Sequence, residues 1–444
     1  MDLPISLTLG KFLAETRRQN VPDEVLDRTL IALFDTIASA LAGSTAVSTK
    51  VTHEAALNIF GPGNYPVWFS GQRLGLCGAV LTNATAAFCL DLDDGHRGAC
   101  GHCGSAVIPA VLAAGKDNDD GIAILAAIAL GYDISYRIGA NRRMPPGTSM
   151  ASGRWSGYGA AAGYAWLRGL DADRHAQAIA LAGIEGPANL PPHGSKDRGM
   201  IKGSIPWSAV TGVAAAERAK AGVLGPLDMF DCDREFDGPR IVADLGHRWL
   251  IGESYMKPYA CCRYIHAAMD AVMGLVGDRA KDVEEVRVET FPTAFNLPNR
   301  TEPDSLEAAQ FSFPFCVALA AFRGPSAFMP MPASCLRDAE VLDLAQRVSL
   351  IAADDFKDSF PAKTPARVTV RIGNESRSAT VLYPKGEVEN PMSWKDVEAK
   401  FSALADGTIT PGHAASIVEG LYRLREGQAG PLLSALGSPP ASLN

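Results

Sequence analysis

The sequence predicts a mostly α protein with an α+β insert. One large all-helical domain is expected from residues 1–254 and 395–444, and a smaller α+β domain from 255–394. Three observations carry that expectation. Apolar residues recur at helical spacing over most of the first 250 positions, alternating extended runs are confined to roughly 286–383, and helical periodicity returns after Ser393. At 444 residues, 47% hydrophobic and 20% charged, the chain has the composition of a globular protein and the length for two domains.

Taken in order, Val25, Thr29, Ala32, Leu33, Thr36, Ile37 and Ala40 share one helical face, and Gly43 is the expected C-cap. The apolar run Ser105 to Leu112 predicts a buried helix. Ala- and Gly-rich stretches at 120–137, 157–168, 174–183 and 206–222 predict helices whose small residues allow close packing. The pattern then changes. Val286 and Val288 alternate with Arg287 and Glu289; Val368, Val370 and Ile372 alternate with Thr369 and Arg371, and a Gly373-Asn374 turn leads to a second strand at Ser378 to Tyr383. Between them, Phe311 to Phe322 and Asp338 to Ser349 are predicted helices. Ser393, with Asp396 three residues on, is an expected N-cap for helical structure reaching about Leu424.

Composition also excludes. A net charge of −8 argues against general nucleic-acid affinity, which needs clustered cations to displace counterions. The apolar stretches Ala123 to Leu130 and Val210 to Ala216 are shorter than the roughly 20 residues that cross a bilayer, so they are expected in the core rather than in a membrane. Nine cysteines, two of them adjacent, and a start that lacks the features of a signal peptide predict reduced thiols in a cytoplasm.

The segment richest in chemistry runs from Leu90 to Pro109: Leu-Asp-Leu-Asp-Asp-Gly-His-Arg-Gly-Ala-Cys-Gly-His-Cys-Gly-Ser-Ala-Val-Ile-Pro. Asp91, Asp93, Asp94, His96 and His102 are groups able to move protons, and Gly95, Gly98, Gly101 and Gly104 break regular helix and admit close approach of a ligand. The loop precedes a helix N-terminus, which favours an anion. Asp93 and Asp94 are equally well explained as turn caps. Cys100, His102 and Cys103, with Cys261-Cys262, supply metal-ligand residue types. Adjacent cysteines reach a single ion poorly, so buried reduced thiols are the better reading and no metal is expected. Gly153 to Gly159 has neither a preceding strand nor a following Lys-Ser/Thr, and reads as a helix start that brings Arg154 near the loop; Arg198 is a similar candidate.

Four separated runs resemble the MmgE/PrpD family: Leu90 to Pro109, Met200-Ile-Lys-Gly-Ser-Ile-Pro-Trp-Ser-Ala209, Lys257-Pro-Tyr-Ala-Cys-Cys-Arg-Tyr-Ile-His266 and Glu389-Asn-Pro-Met-Ser393. That family includes 2-methylcitrate dehydratase, cis-aconitate decarboxylase and iminodisuccinate epimerase. The resemblance implies a helical domain with an α+β lid, a homodimer, a site in the cleft between domains, and no metal or organic cofactor. By match to its motifs, the resemblance implies Asp91 and His102 as catalytic residues and Lys202 and Lys257 as substrate-binding ones; Arg263, a further cation in the third run, is a reserve candidate for holding a carboxylate. Three positions depart from the pattern. Gly95 stands where a threonine is common, Met150 near an expected histidine, and Phe315 at a lid tyrosine. The loop is also one residue longer between Asp91 and His102, so His96 is an alternative occupant, and Arg154 is a candidate replacement for the cation or polar group lost at Met150.

Such residues suit proton removal beside a carboxylate, with the lysines over the growing negative charge and Asp91 and His102 dividing base and acid roles. Dehydration of a small polycarboxylate is the first expectation; epimerisation, isomerisation or decarboxylation of a related substrate is the alternative. A degenerate, ligand-binding homologue is the reading of another class.

Overall fold

The computed structural model describes residues 3–144, 149–188 and 199–439. Their buried apolar side chains form two clusters. One joins residues from Leu9 to Ala260 with residues from Met392 to Leu436; the other runs from Tyr259 to Ile372. Helices dominate the first, and a four-stranded mixed sheet with its own helices forms the second.

The first core is built on helices Asp23–Ser44, Leu76–Phe88, Gly104–Ala114, Gly121–Ala140, Ser156–Leu167 and Ile205–Lys220. Helix Gly121–Ala140 has 20 residues, which is long and apolar enough to cross a bilayer, and so exceeds the expectation drawn from its Ala123 to Leu130 stretch. Here 89% of its apolar window is buried inside the fold. Gly43 is not a cap: the helix continues to Ser44, and a Cβ at 43 would collide with the Ala86 carbonyl of helix Leu76–Phe88. Glycine is needed there because two helices cross closely.

In the second core the strand order is Val348–Ala352, Val283–Thr290, Ala366–Ile372, Glu375–Val381. The first pair is parallel, with Val286 opposite Val348, and the others are antiparallel, with Val288 opposite Val368. Val283, Val286 and Val288 point inward beneath helices His266–Val276 and Phe313–Arg323. The expected helix Asp338 to Ser349 is corrected: it spans only Ala339–Gln346, and Val348–Ala352 is a strand. Tertiary pairing to Val283–Thr290 captures that β-branched stretch and overrides the local helical reading. The hairpin's second strand also begins three residues earlier than expected.

Two features position the candidate residues. Gly95–His96 pairs antiparallel with Ser254–Tyr255, which ties the Asp/His loop to the segment entering the second core. After it, Ser393 and Asp396 form the expected capping box, and helices Trp394–Ala405, Pro411–Arg425 and Gly430–Gly437 return to the first core, with a break near 406–410 where one periodic stretch was expected.

Candidate active site

Helix Leu76–Phe88 ends in a turn whose residue Asp91 has φ 55°, the left-handed region, which Asp enters more readily than most side chains. The conformation lets the buried Asp91 accept twice from Lys257: Nζ lies 3.0 Å from Oδ1 and 3.0 Å from the backbone carbonyl. Lys257 is itself completely buried. Burial alone would push the Asp91 carboxyl up; Lys257, Lys202 and His102 outweigh it and hold the group below the usual carboxylate value. Burial works against the Lys257 ammonium as well, but Asp91 and Asp93 overcome it and raise its pKa. Both members of the pair therefore stay charged.

Lys202 comes from a different direction, with φ 51°, and donates to the Cys89 carbonyl and to Gln310 Oε1. Its ammonium also lies 5.7 Å from the centre of the Phe88 ring. Burial depresses its pKa, and Asp91 only partly restores it. Lys202 is thus a more acidic ammonium than Lys257, held beside the same carboxylate.

His102 sits just before helix Gly104–Ala114. Its backbone N–H donates to Ser152 Oγ at 3.0 Å, and its ring Nδ1 lies 2.6 Å from the Asp94 carbonyl oxygen. A carbonyl can only accept, so Nδ1 carries the proton and the neutral ring keeps its lone pair on Nε2. Burial and then Lys257 lower the imidazole pKa, against the pull of Asp93 and Asp91. Asp93 Oδ2 is 3.7 Å from Nδ1 and also accepts from Ser105 Oγ. Asp94 is buried among Asp93, Asp35 and Tyr132; burial first and the neighbouring carboxylates next push its carboxyl far up, which favours the neutral acid. Among the described residues, Asp93 and Asp94 neither cap a turn nor accept from a backbone amide.

Asp91, His102, Lys202 and Lys257 thus converge from segments up to 166 residues apart. The other candidates do not join them. His96 stacks on Tyr136 at 4.5 Å, and its Nε2 faces Glu253 at 3.6 Å. Arg263 is fully engaged elsewhere: Nε bonds Glu387 Oε1 at 2.9 Å, and its two amino groups reach the Lys385 carbonyl, the Pro384 carbonyl and His266. Arg154 closes the short 3₁₀ turn Ser152–Arg154, next to Arg142 rather than Asp91. Arg198 lies outside the described residues. Phe315 is fully buried in the second core. Among the cysteines, all nine are free; Cys261 packs on Met269 in the second core while Cys103 belongs to the first, so the thiols weighed as ligands face different surroundings.

Sequence reasoning missed Gln310, Tyr255 and Glu387. Gln310, 2% exposed, is a buried amide whose oxygen meets Lys202, a role visible only once the second core is folded against the first. Glu387 lies two residues before the matched Glu389 run and bridges Arg97 and Arg263.

The MmgE/PrpD N-terminal domain model matches residues 7–237, and the MmgE/PrpD C-terminal domain model matches residues 259–422. The chain belongs to the MmgE/PrpD family. Within the family it is similar to a cis-aconitate decarboxylase of Aspergillus terreus, 28% identical over 474 residues that cover 95% of this chain and 94% of the relative. A second such decarboxylase, from Aspergillus terreus (strain NIH 2624 / FGSC A1156), is 27% identical with the same coverage. A cis-aconitate decarboxylase-like protein, oryM, from Aspergillus oryzae (strain ATCC 42149 / RIB 40), is 22% identical and covers 91% of each chain. The two MmgE/PrpD models meet between 237 and 259, close to where Ser254–Tyr255 pairs with the loop that carries Asp91 and His102.

Proposed function

We propose that this chain is a lyase that develops carbanion character beside a carboxylate of a small polycarboxylate, with His102 and Lys202 moving protons, Lys202 and Lys257 binding the substrate, and Asp91 positioning Lys257. The observation that carries the reading is a neutral, tautomer-fixed imidazole beside one fully buried and one half-buried ammonium group. Cations in a water-poor site stabilise charge that grows on the substrate, and an imidazole with a lone pair on Nε2 can take a proton from carbon. Lys202, the more acidic ammonium, is suited to return one. Asp91 keeps Lys257 charged and placed.

The likeness to cis-aconitate decarboxylases makes decarboxylation of an unsaturated tricarboxylate the first reaction to test. In that case the C–CO2⁻ bond breaks, its electron pair delocalises toward a neighbouring carboxylate, and a proton from Lys202 quenches the carbanion. Dehydration is the second reading, favoured by the neutral His102: the C–H proton passes to Nε2, and the β-hydroxyl takes a proton from Lys202 as its C–O bond breaks, leaving as water. We read the protein as cytoplasmic, which nine free thiols support, and as a homodimer, supported by the exposed Val47, Val51 and Ile59 of helix Val47–Phe60 beside Trp207.

Proton NMR in deuterated buffer with cis-aconitate and a panel of hydroxylated and unsaturated di- and tricarboxylates tests this. Deuterium-labelled, one-carbon-shorter product is expected for decarboxylation, and a new vinyl signal with six carbons retained for dehydration of a citrate-like substrate. Exchange of a C–H without bond loss would move the assignment to an epimerase. Silence from folded protein across the panel would sink the lyase reading.

A further inference from the structure

Tyr255 is opposite Gly95 in the two-residue ladder, and opposed residues of an antiparallel pair project on the same face. Only one of the two has a side chain. A Cβ built on Gly95 would fall on the Tyr255 hydroxyl and Cζ, so the phenol lies over the Asp/His turn in the volume that a side chain at 95 would take. The ring stands edge-on to His102, with centroids 6.4 Å apart at 83°. Two guanidinium groups hold it: Arg97 and Arg263 lie over the ring at 4.8 and 5.1 Å, and Glu387 bonds both. Tyr255 is only 5% exposed, and its hydroxyl makes no hydrogen bond among the described residues. The hydroxyl is absent from the fully enclosed, unpartnered polar atoms of the described residues, so the small exposure left to Tyr255 includes its oxygen, where a ligand could meet it.

We propose that the Tyr255 hydroxyl is a substrate-contacting hydrogen-bond donor that completes the site beside His102 and Lys257. The inference rests on the polycarboxylate reading and narrows it. Two ammonium groups match two ionised carboxylates, and a neutral donor matches one further oxygen, either a third carboxylate or a hydroxyl. Burial keeps the phenol protonated, so it donates rather than accepts. Gly95 is then a requirement of the site, since any side chain there evicts the donor.

Tyr255→Phe keeps the ring, its arginine contacts and its packing while deleting the hydroxyl. Its kcat/KM on the preferred substrate is expected to fall about 10- to 100-fold, the loss of one hydrogen bond to a charged group. Wild-type discrimination against the analogue lacking that oxygen should shrink by a similar factor, which a merely structural tyrosine would not cause. Gly95→Ala, with unchanged thermal melting, should reproduce the loss. Kinetics and discrimination within twofold of wild type for Tyr255→Phe would overturn the inference while leaving the lyase reading intact. Should wild type turn over nothing, calorimetric titration with a tricarboxylate decides: at least tenfold weaker binding by Tyr255→Phe sustains the contact, and equal binding by both, or none by wild type, overturns it.

Discussion

Lys257 and Lys400 are both completely buried, both bond an aspartate, and both reach a carbonyl of one short turn. Lys257 Nζ lies 3.0 Å from Asp91 Oδ1 and 3.0 Å from the Asp91 carbonyl; Lys400 Nζ lies 2.7 Å from Asp35 Oδ1 and 2.9 Å from the Leu92 carbonyl. The carboxyl groups nevertheless shift in opposite directions. Asp91 is held down because Lys202 and His102 add to Lys257 against burial, whereas Asp35 is pushed up by a burial that Lys400 offsets only in part, with Asp93 adding to the rise. A buried ion pair is therefore not in itself a sign of chemistry. The second cation and the imidazole distinguish the functional pair; its twin fastens helix Trp394–Ala405 to helix Asp23–Ser44 under the loop.

The largest effect is expected where the comparison is broken at its functional end. Lys257→Met should lower kcat/KM by about 10²- to 10³-fold, the usual loss when one preorganised charge is removed from a transition state. Lys400→Met should leave turnover per folded molecule within about threefold. Steady-state kinetics normalised to the native fraction would check both, and equal losses would erase the distinction drawn between the pairs.

Stability should sort the variants differently. Lys400→Met leaves Asp35 buried without its cation, and breaking such a pair costs about 3–5 kcal/mol. Adding Asp35→Asn removes the orphaned charge and should recover most of that loss. Urea unfolding of the single and double variants measures it; a single variant within about 1 kcal/mol of wild type would mean that Lys400 is dispensable to the scaffold.

The same contrast explains what could be read without coordinates. Helix positions followed from periodicity, because a core-facing stripe leaves its spacing in any sequence. Asp91, His102, Lys202 and Lys257 were legible through matched motifs, although nothing local predicts that residues 91 and 257 touch. Lys400 did leave a local sign. Val397, Lys400, Phe401 and Leu404 are all buried on helix Trp394–Ala405, so the lysine stands at i+3 within an apolar stripe, a place where a solvated lysine does not belong. Tyr255 and Gln310 left none. Each acquires its role from the pairing of the loop with a segment some 160 residues away or from the meeting of the two cores, and sequence spacing records neither. The strand Val348–Ala352 was lost for the same reason, since its parallel partner lies more than 60 residues upstream.

The smallest expected effect sharpens the comparison most finely, because it separates groups that touch His102 from groups that only share its surroundings. His102 is the proposed base and works when unprotonated, so kcat/KM should fall as pH drops through its pKa, and the midpoint should lie below the ordinary imidazole value of 6.5 because burial and Lys257 disfavour the cation. Lys202 acts as the ammonium, so an alkaline limb should appear below the ordinary lysine value of 10.5. Asp93 opposes the depression of His102; replacing it by Asn removes a charge that favours imidazolium and should move the acid limb still lower. Asp35 is not among the main groups that act on His102, and Asp35→Asn should move that limb less. A pH–rate series on wild type and the two variants tests the order. An acid limb at or above 6.5, or a shift upward in Asp93→Asn, would remove His102 from the role of neutral base and leave the lysines to be explained without it.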